Sequence, residues 1–181
     1  MFILFICDII DKNNYKIKHK FYKIKHKFHA FVKRGLIAIY GGIVMTRKEA
    51  REQAFIMVFE KEFNSEYTLD EIVETAKDAD LFEADEFAKT LADKTLETMD
   101  KLDEVITSHL KEGWRISRIS KVSLAILRLA VCELMYFSDI PVSVTINEAV
   151  ELAKTYAAEK DSAFVNGLLA AVSKSVAAAD E

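Results

Sequence analysis

The chain has 181 residues, 51% hydrophobic and 30% charged, with five glycines and a single proline; it can bury a sizeable core, and so few chain breakers argue against a turn-rich β architecture. Its net charge of −4 conceals an asymmetry: residues 1–44 hold nine Lys/Arg and two Asp (+7), residues 45–181 sixteen Lys/Arg and twenty-seven acids (−11). An acidic body disfavours non-specific nucleic-acid binding, so any RNA contact has to use a local basic patch.

Residues 1–44 differ in kind from the rest. Phe, Ile, Lys, Asn and Tyr supply twenty-seven of the forty-four, and all have AT-rich codons. Tyr15-Lys-Ile-Lys-His-Lys-Phe21 repeats unchanged as Tyr22-Lys-Ile-Lys-His-Lys-Phe28, a low-complexity tandem. Gly41-Gly42 can be encoded as GGAGGA, a ribosome-binding sequence suitably spaced before the Met45 codon. Residues 1–44 therefore read as translated upstream DNA or a disordered extension, with the domain running from 45 to 181. Two other readings stand beside this one. Met1 to Ile10 resembles a signal core but lacks a basic start and a nearby cleavage site. The KIKHKF repeat alternates apolar and basic residues, as a membrane- or RNA-binding arm does, although its phase slips between Phe21 and Tyr22.

From Met45 on, the periodicity is helical throughout, and an all-α domain is predicted. The first helix covers 46–63, with Ala50, Ala54, Phe55, Val58 and Phe59 toward the core. Thr68 and Glu71 have capping-box spacing and open a helix to about Ala79. A long helical stretch from Asp85 to about Leu110 carries Phe87, Leu91, Leu96, Met99, Leu102 and Ile106, with a break expected near Asp100 and an end at Gly113. A short turn over 116–120 follows. Residues 121–137 are apolar almost all round, the mark of a buried central helix, capped by Ser120 and ended by Asp139-Ile140-Pro141. They are too short and too charged to span a bilayer, so no membrane is expected. Thr145 and Glu148 repeat the capping-box spacing near the start of the next helix. The last helix carries Phe164, Val165, Leu168, Leu169, Val172 and Val176. The count is about seven helices.

Catalysis finds little support. The body has one histidine, His109, and one cysteine, Cys132; its many carboxylates between Glu60 and Glu104 lie along helix surfaces. With Cys7, two cysteines make neither a disulfide framework nor a zinc cluster, which points to a reducing cytoplasm. No Gly-rich phosphate loop follows a strand, and neither a cofactor nor a metal is expected. Two basic clusters remain. Arg47 and Arg51 are four apart on one helix face with Lys48 beside them, a spacing suited to phosphates or to stacking on bases, and these side chains are expected to face solvent. Arg115, Arg118 and Lys121 follow one another by single turns, with Lys111 nearby; they offer contact to RNA or to an acidic partner. Each cluster reads equally as a solvated surface. Arg128, the one basic residue of the buried helix beyond Lys121 at its start, should be paired with Glu148 or with Glu133, a structural role. Gly167, inside the last helix, suggests close helix approach.

Leu127-Arg128-Leu129-Ala130 with Glu133-Leu134, then Asp139-Ile140-Pro141, then Ile146-Asn147-Glu148-Ala149 and Phe164-Val165-Asn166-Gly167 stand in an order and spacing that closely resemble the NusB family of bacterial transcription antitermination factors. The resemblance covers about residues 45–177, is strong from Leu127 to Leu169 and weaker from Phe63 to Glu112, and begins at Met45. It implies two small helical subdomains packed together and a cytoplasmic RNA-binding adaptor without catalysis. Members pair with a small-subunit ribosomal protein (the tenth), bind the boxA element of nascent single-stranded RNA, and help RNA polymerase read through terminators, notably in ribosomal RNA operons. The family uses an Arg-rich start to bind RNA, which carries over to Arg47, Lys48 and Arg51, although this chain has fewer arginines there than many members. The region of Lys160 and Phe164 lies near the RNA surface in the family; Phe164 would stack on a base, or else sit in the core beside Leu168. Two alternatives remain. A related helical domain precedes the catalytic domain of some ribosomal RNA cytosine methyltransferases, whose Gly-rich cofactor fold has no counterpart in this sequence. A helical protein-interaction module without RNA contact is the other.

Overall fold

Helix boundaries follow from side chains that satisfy the free backbone groups at each end. In the computed structural model, which describes residues 45–78, 82–158 and 160–179, seven α-helices and one 3-10 turn appear, with no strand among the described residues. The expectations for residues 1–44 lie outside them.

Helix α1 (Arg47–Lys61) opens on a reciprocal cap that the sequence reading missed. The Glu49 amide donates to Thr46 Oγ1 at 3.3 Å and the Thr46 amide to Glu49 Oε2 at 2.9 Å. Helix α2 (Leu69–Asp78) opens on the predicted box, with Thr68 N to Glu71 Oε2 at 2.7 Å and Glu71 N to Thr68 Oγ1 at 3.2 Å. The long helical stretch is two helices, α3 (Glu86–Glu97) and α4 (Met99–Ser108). At their junction the Thr98 hydroxyl donates to the Lys94 carbonyl at 2.7 Å, one turn after Thr95 does the same to Leu91, and such back-bonding bends helices. Gly113 does not end α4, which stops at Ser108. It makes the next turn instead, at φ +80°, where a side chain would be strained.

After the 3-10 turn (Ile116–Arg118) comes α5 (Lys121–Tyr136), capped by Ser120, whose hydroxyl accepts from the Ser123 amide at 3.1 Å. Every residue from Ala125 to Glu133 is buried, as the all-round apolar pattern predicted. Helix α6 (Val142–Tyr156) corrects the reading at Thr145. Pro141 holds the N-cap position, and Thr145 lies one turn inside the helix, buried, with its hydroxyl donating to Glu133. Helix α7 (Asp161–Ala179) completes the set.

Among the described residues, 46–73, 84–158 and 160–179 form the first unit; 74–78 and 82–83 are grouped separately, and there Lys77 Nζ lies 3.7 Å from Glu83 Oε1. In the first unit α5 touches α1, α3, α4, α6 and α7. Helices α1, α3 and α5 contact one another, as do α5, α6 and α7, so two helical sets share one central helix. Phe55, Met57, Leu91, Leu102, Ile126, Leu127 and Leu169 are fully buried, each contributing on the order of 1.5–3 kcal/mol. Gly167 does not mediate helix packing: it is exposed, and a Cβ there would meet nothing within 4 Å.

Candidate nucleic-acid interface

The start of α1 splits its basic residues between surface and interior. Arg47 and Lys48 are exposed, but Arg51 is buried, contrary to the expectation that it faces solvent. Arg51 grips Glu133 with two parallel hydrogen bonds, Nε to Oε2 at 2.7 Å and Nη2 to Oε1 at 3.0 Å, and its Nη1 donates to the Arg47 carbonyl at 3.2 Å. Side-chain exposure is 6% for Arg51 and 2% for Glu133. The cause is helical periodicity: Ala54 and Phe55, three and four residues on, are core residues, so position 51 turns inward with them. A charge preceding two apolar residues at that spacing was the signal available in the sequence.

This inward arginine helps set the outer one. The Arg47 guanidinium lies 4.1 Å from the centroid of the Phe87 ring and that of Arg51 lies 5.6 Å from it, both within cation–π range. Phe87 is itself braced edge-on by Phe137 at 5.8 Å. Arg47 is therefore held on an aromatic face while its outer side stays open to an anion. Beside it, Lys154, bonded at 2.7 Å, and more weakly Lys48 hold the Glu151 carboxyl below its ordinary range.

Arg128 is buried and paired, but with other partners than expected. It grips Asp103 on α4, Nε to Oδ1 and Nη2 to Oδ2, both at 2.7 Å, and its Nη1 donates to Glu62 just past α1. Glu148 is half-buried on α6 and takes no part in this pair. Glu133 is excluded by geometry, since five helical residues turn it about 140° away from Arg128. Helix α5 thus carries two ion pairs on different sides, one closed by α1 and one by α4.

The second basic cluster stands at the other end of α1. Lys121 lies 4.3 Å over the Phe63 ring and 3.5 Å from the Glu62 carbonyl, so about 22 Å of helix separates it from Arg47. Arg115, Arg118 and Lys121 are all exposed. Lys160 and Phe164 join this cluster. Asp161 accepts a hydrogen bond from Ser123 at 2.9 Å, which ties the start of α7 to the start of α5. Phe164 is half-buried and stacks on Trp114, centroids 5.9 Å apart and planes 26° from parallel. Trp114, 50% exposed, was not singled out in the sequence; its place between the Gly113 turn and Arg115 was the available signal.

Among the described residues no group of three or more His, Cys, Asp or Glu is placed to hold a metal. His109 caps α4, with Nδ1 2.8 Å from the Val105 carbonyl and Nε2 2.7 Å from Ser175 Oγ. Cys132 is buried, and desolvation pushes its thiol up, away from the reactive thiolate. No helix among the described residues is long and apolar enough to cross a membrane.

Comparison with known proteins matches this arrangement to one family. The sequence model of the NusB family matches residues 48–174. The transcription antitermination protein NusB of Oceanobacillus iheyensis is 42% identical over 128 residues, 71% of this chain and 98% of that protein. Its counterpart in Agathobacter rectalis is 44% identical over 129 residues, 70% of this chain and 98% of that protein. Among solved structures, NusB of T. maritima superposes with a TM-score of 0.64 at 33% identity, over 73% of this chain and 93% of that one. A structure of the antitermination factors NusB and NusE in complex with dsRNA matches with a TM-score of 0.62 at 30% identity, over 71% and 96%.

Proposed function

The chain belongs to the NusB family, and we propose that it acts as a transcription antitermination factor that binds boxA-type RNA together with the tenth small-subunit ribosomal protein. The observation that carries this reading is the match to the solved NusB–NusE–RNA complex over 96% of the matched chain. The exposed cations at the start of α1 agree with it. Arg47 and Lys48 supply charge to the phosphates, while Arg51 acts from inside by holding the Arg47 backbone. The ribosomal protein supplies the positive surface that the acidic body lacks. The adaptor works in the cytoplasm within the RNA polymerase antitermination complex, supports ribosomal RNA transcription and performs no catalytic step.

The test is a titration of boxA-like and scrambled single-stranded RNA at several salt concentrations, with and without the ribosomal protein, alongside terminator readthrough by RNA polymerase. Tighter binding of boxA-like RNA with the partner present, and increased readthrough, is the expected outcome. Partner binding with no salt-dependent RNA affinity would leave a protein-interaction module instead.

A further inference from the structure

Buried polar side chains from α1, α5 and α6 meet at one carboxylate. Glu133 accepts two bonds from the Arg51 fork and another from the Thr145 hydroxyl, so both its oxygens are occupied. Their surroundings are otherwise apolar: Ile126, Leu129, Ala130 and Leu152 join them around a void of about 10 Å³, room for roughly one water at most. An ion pair in such a place is a poor source of stability. Desolvation of two charges offsets their attraction, and apolar residues of like volume often replace a buried pair without loss.

Apolar residues cannot reproduce the remaining bond of the fork, from Arg51 Nη1 to the Arg47 carbonyl at 3.2 Å. That bond clamps the first turn of α1, where helices fray. The Arg47 side chain lies on Phe87, whose own place is fixed from α1: Gln53 Oε1 accepts from the Asp85 amide at 3.0 Å, and Asp85 Oδ1 accepts from the Phe87 amide at 2.9 Å. The Arg51 guanidinium is 5.6 Å from the centroid of the same ring. Glu133 neutralises it there, so the ring carries Arg47 without repulsion from a second bare cation.

We propose that Glu133 and Thr145 are positioning residues for RNA binding, which hold Arg51 in the orientation that fixes Arg47 on Phe87 with its outer side free. Both are buried and act through Arg51 and Arg47. This rests on the RNA-binding reading above and concerns how Arg47 is presented.

The test is a double-mutant cycle between the polar set and Arg47. The triple variant Arg51→Met, Glu133→Leu, Thr145→Val makes the set apolar and strands no charge, unlike Arg51→Ala alone. Its denaturation midpoint should be no lower than the parent's. RNA affinity is read with a labelled boxA-like single strand and the ribosomal protein at several salt concentrations. The triple variant should lose the affinity that Arg47→Ala loses, to within about twofold, and the salt slope should fall by about 0.7 for one phosphate. Adding Arg47→Ala to the triple variant should then change neither further. Thr145→Val alone removes one hydrogen bond and no charge, so it carries the same cycle if the triple variant does not fold; its loss should be smaller and also vanish without Arg47. Parent-like affinity in these variants would make the set purely structural. A loss that simply adds to that of Arg47→Ala would show that the set acts by another route, and either result overturns the proposal while RNA binding survives. A parent protein that binds no RNA with the partner present removes the RNA-binding reading itself, and the proposal with it.

Discussion

Two arginines four residues apart on α1 have different fates, and the difference is measurable. Arg51→Ala strands Glu133, which is 2% exposed, with the Thr145 hydroxyl as its remaining partner, and should cost about 3–5 kcal/mol in denaturant titration. Arg47→Ala removes an exposed side chain and should change stability by less than about 1 kcal/mol, the cation–π contact included. It should instead reduce the salt slope of RNA binding by about 0.7 if it meets one phosphate. An Arg51 variant as stable as the parent would show that the pair is solvated. Around Arg128 the same logic separates partners. Arg128→Ala should lose about 3 kcal/mol, because Asp103 and Glu62 are left behind part-buried, whereas Glu148→Ala should lose less than about 1 kcal/mol. Equal losses would put Glu148 back into the network.

At the scale of the element, the last turn of α1 contains a misplaced charge. Burial pushes the Glu60 carboxyl up to about 7, only partly opposed by the Asn64 amide at 3.3 Å, and the negative end of the helix dipole adds to the cost of ionising it. The folded chain therefore holds a proton that the unfolded chain releases near its ordinary value of 4.5. Stability falls as pH rises between those two values and stays lower above them. Glu60→Gln should be more stable than the parent by up to about 3 kcal/mol at alkaline pH, with the gain vanishing in acid below the unfolded value. Thermal melts across that pH range check this, and a gain independent of pH would assign it to packing. The two capping boxes show what local sequence carries: Thr68 and Glu71 close theirs as their spacing predicts, whereas Thr145 and Glu148 have the same spacing and do not. Pro141 starts α6 earlier, and Glu133, a partner twelve residues away, claims the Thr145 hydroxyl.

For the whole molecule, the net −11 of residues 45–181 sets the terms of association. A basic ribosomal partner would be drawn in by this field, so its association rate should fall steeply with ionic strength while dissociation changes little. Stopped-flow mixing at several salt concentrations tests this; a flat association rate would mean that apolar contacts govern the encounter. RNA would experience the opposite field, so the proposed binding needs local cations such as Arg47 and Lys48.

Residue order alone is enough for the all-α class, the buried character of α5 and the helix ends set by Ser120 and Thr68, because each follows from neighbours within a turn or two. The family too was legible in residues 127–169. Tertiary structure alone decided which carboxylate meets which arginine, that Arg51 lies inside, and that Lys160 and Phe164 group with Trp114 and Arg115 at the far end of α1 from Arg47. Pairings of this kind join residues 25, 50 or 82 positions apart, and helical periodicity gives a side chain's direction without saying which helix will stand opposite it.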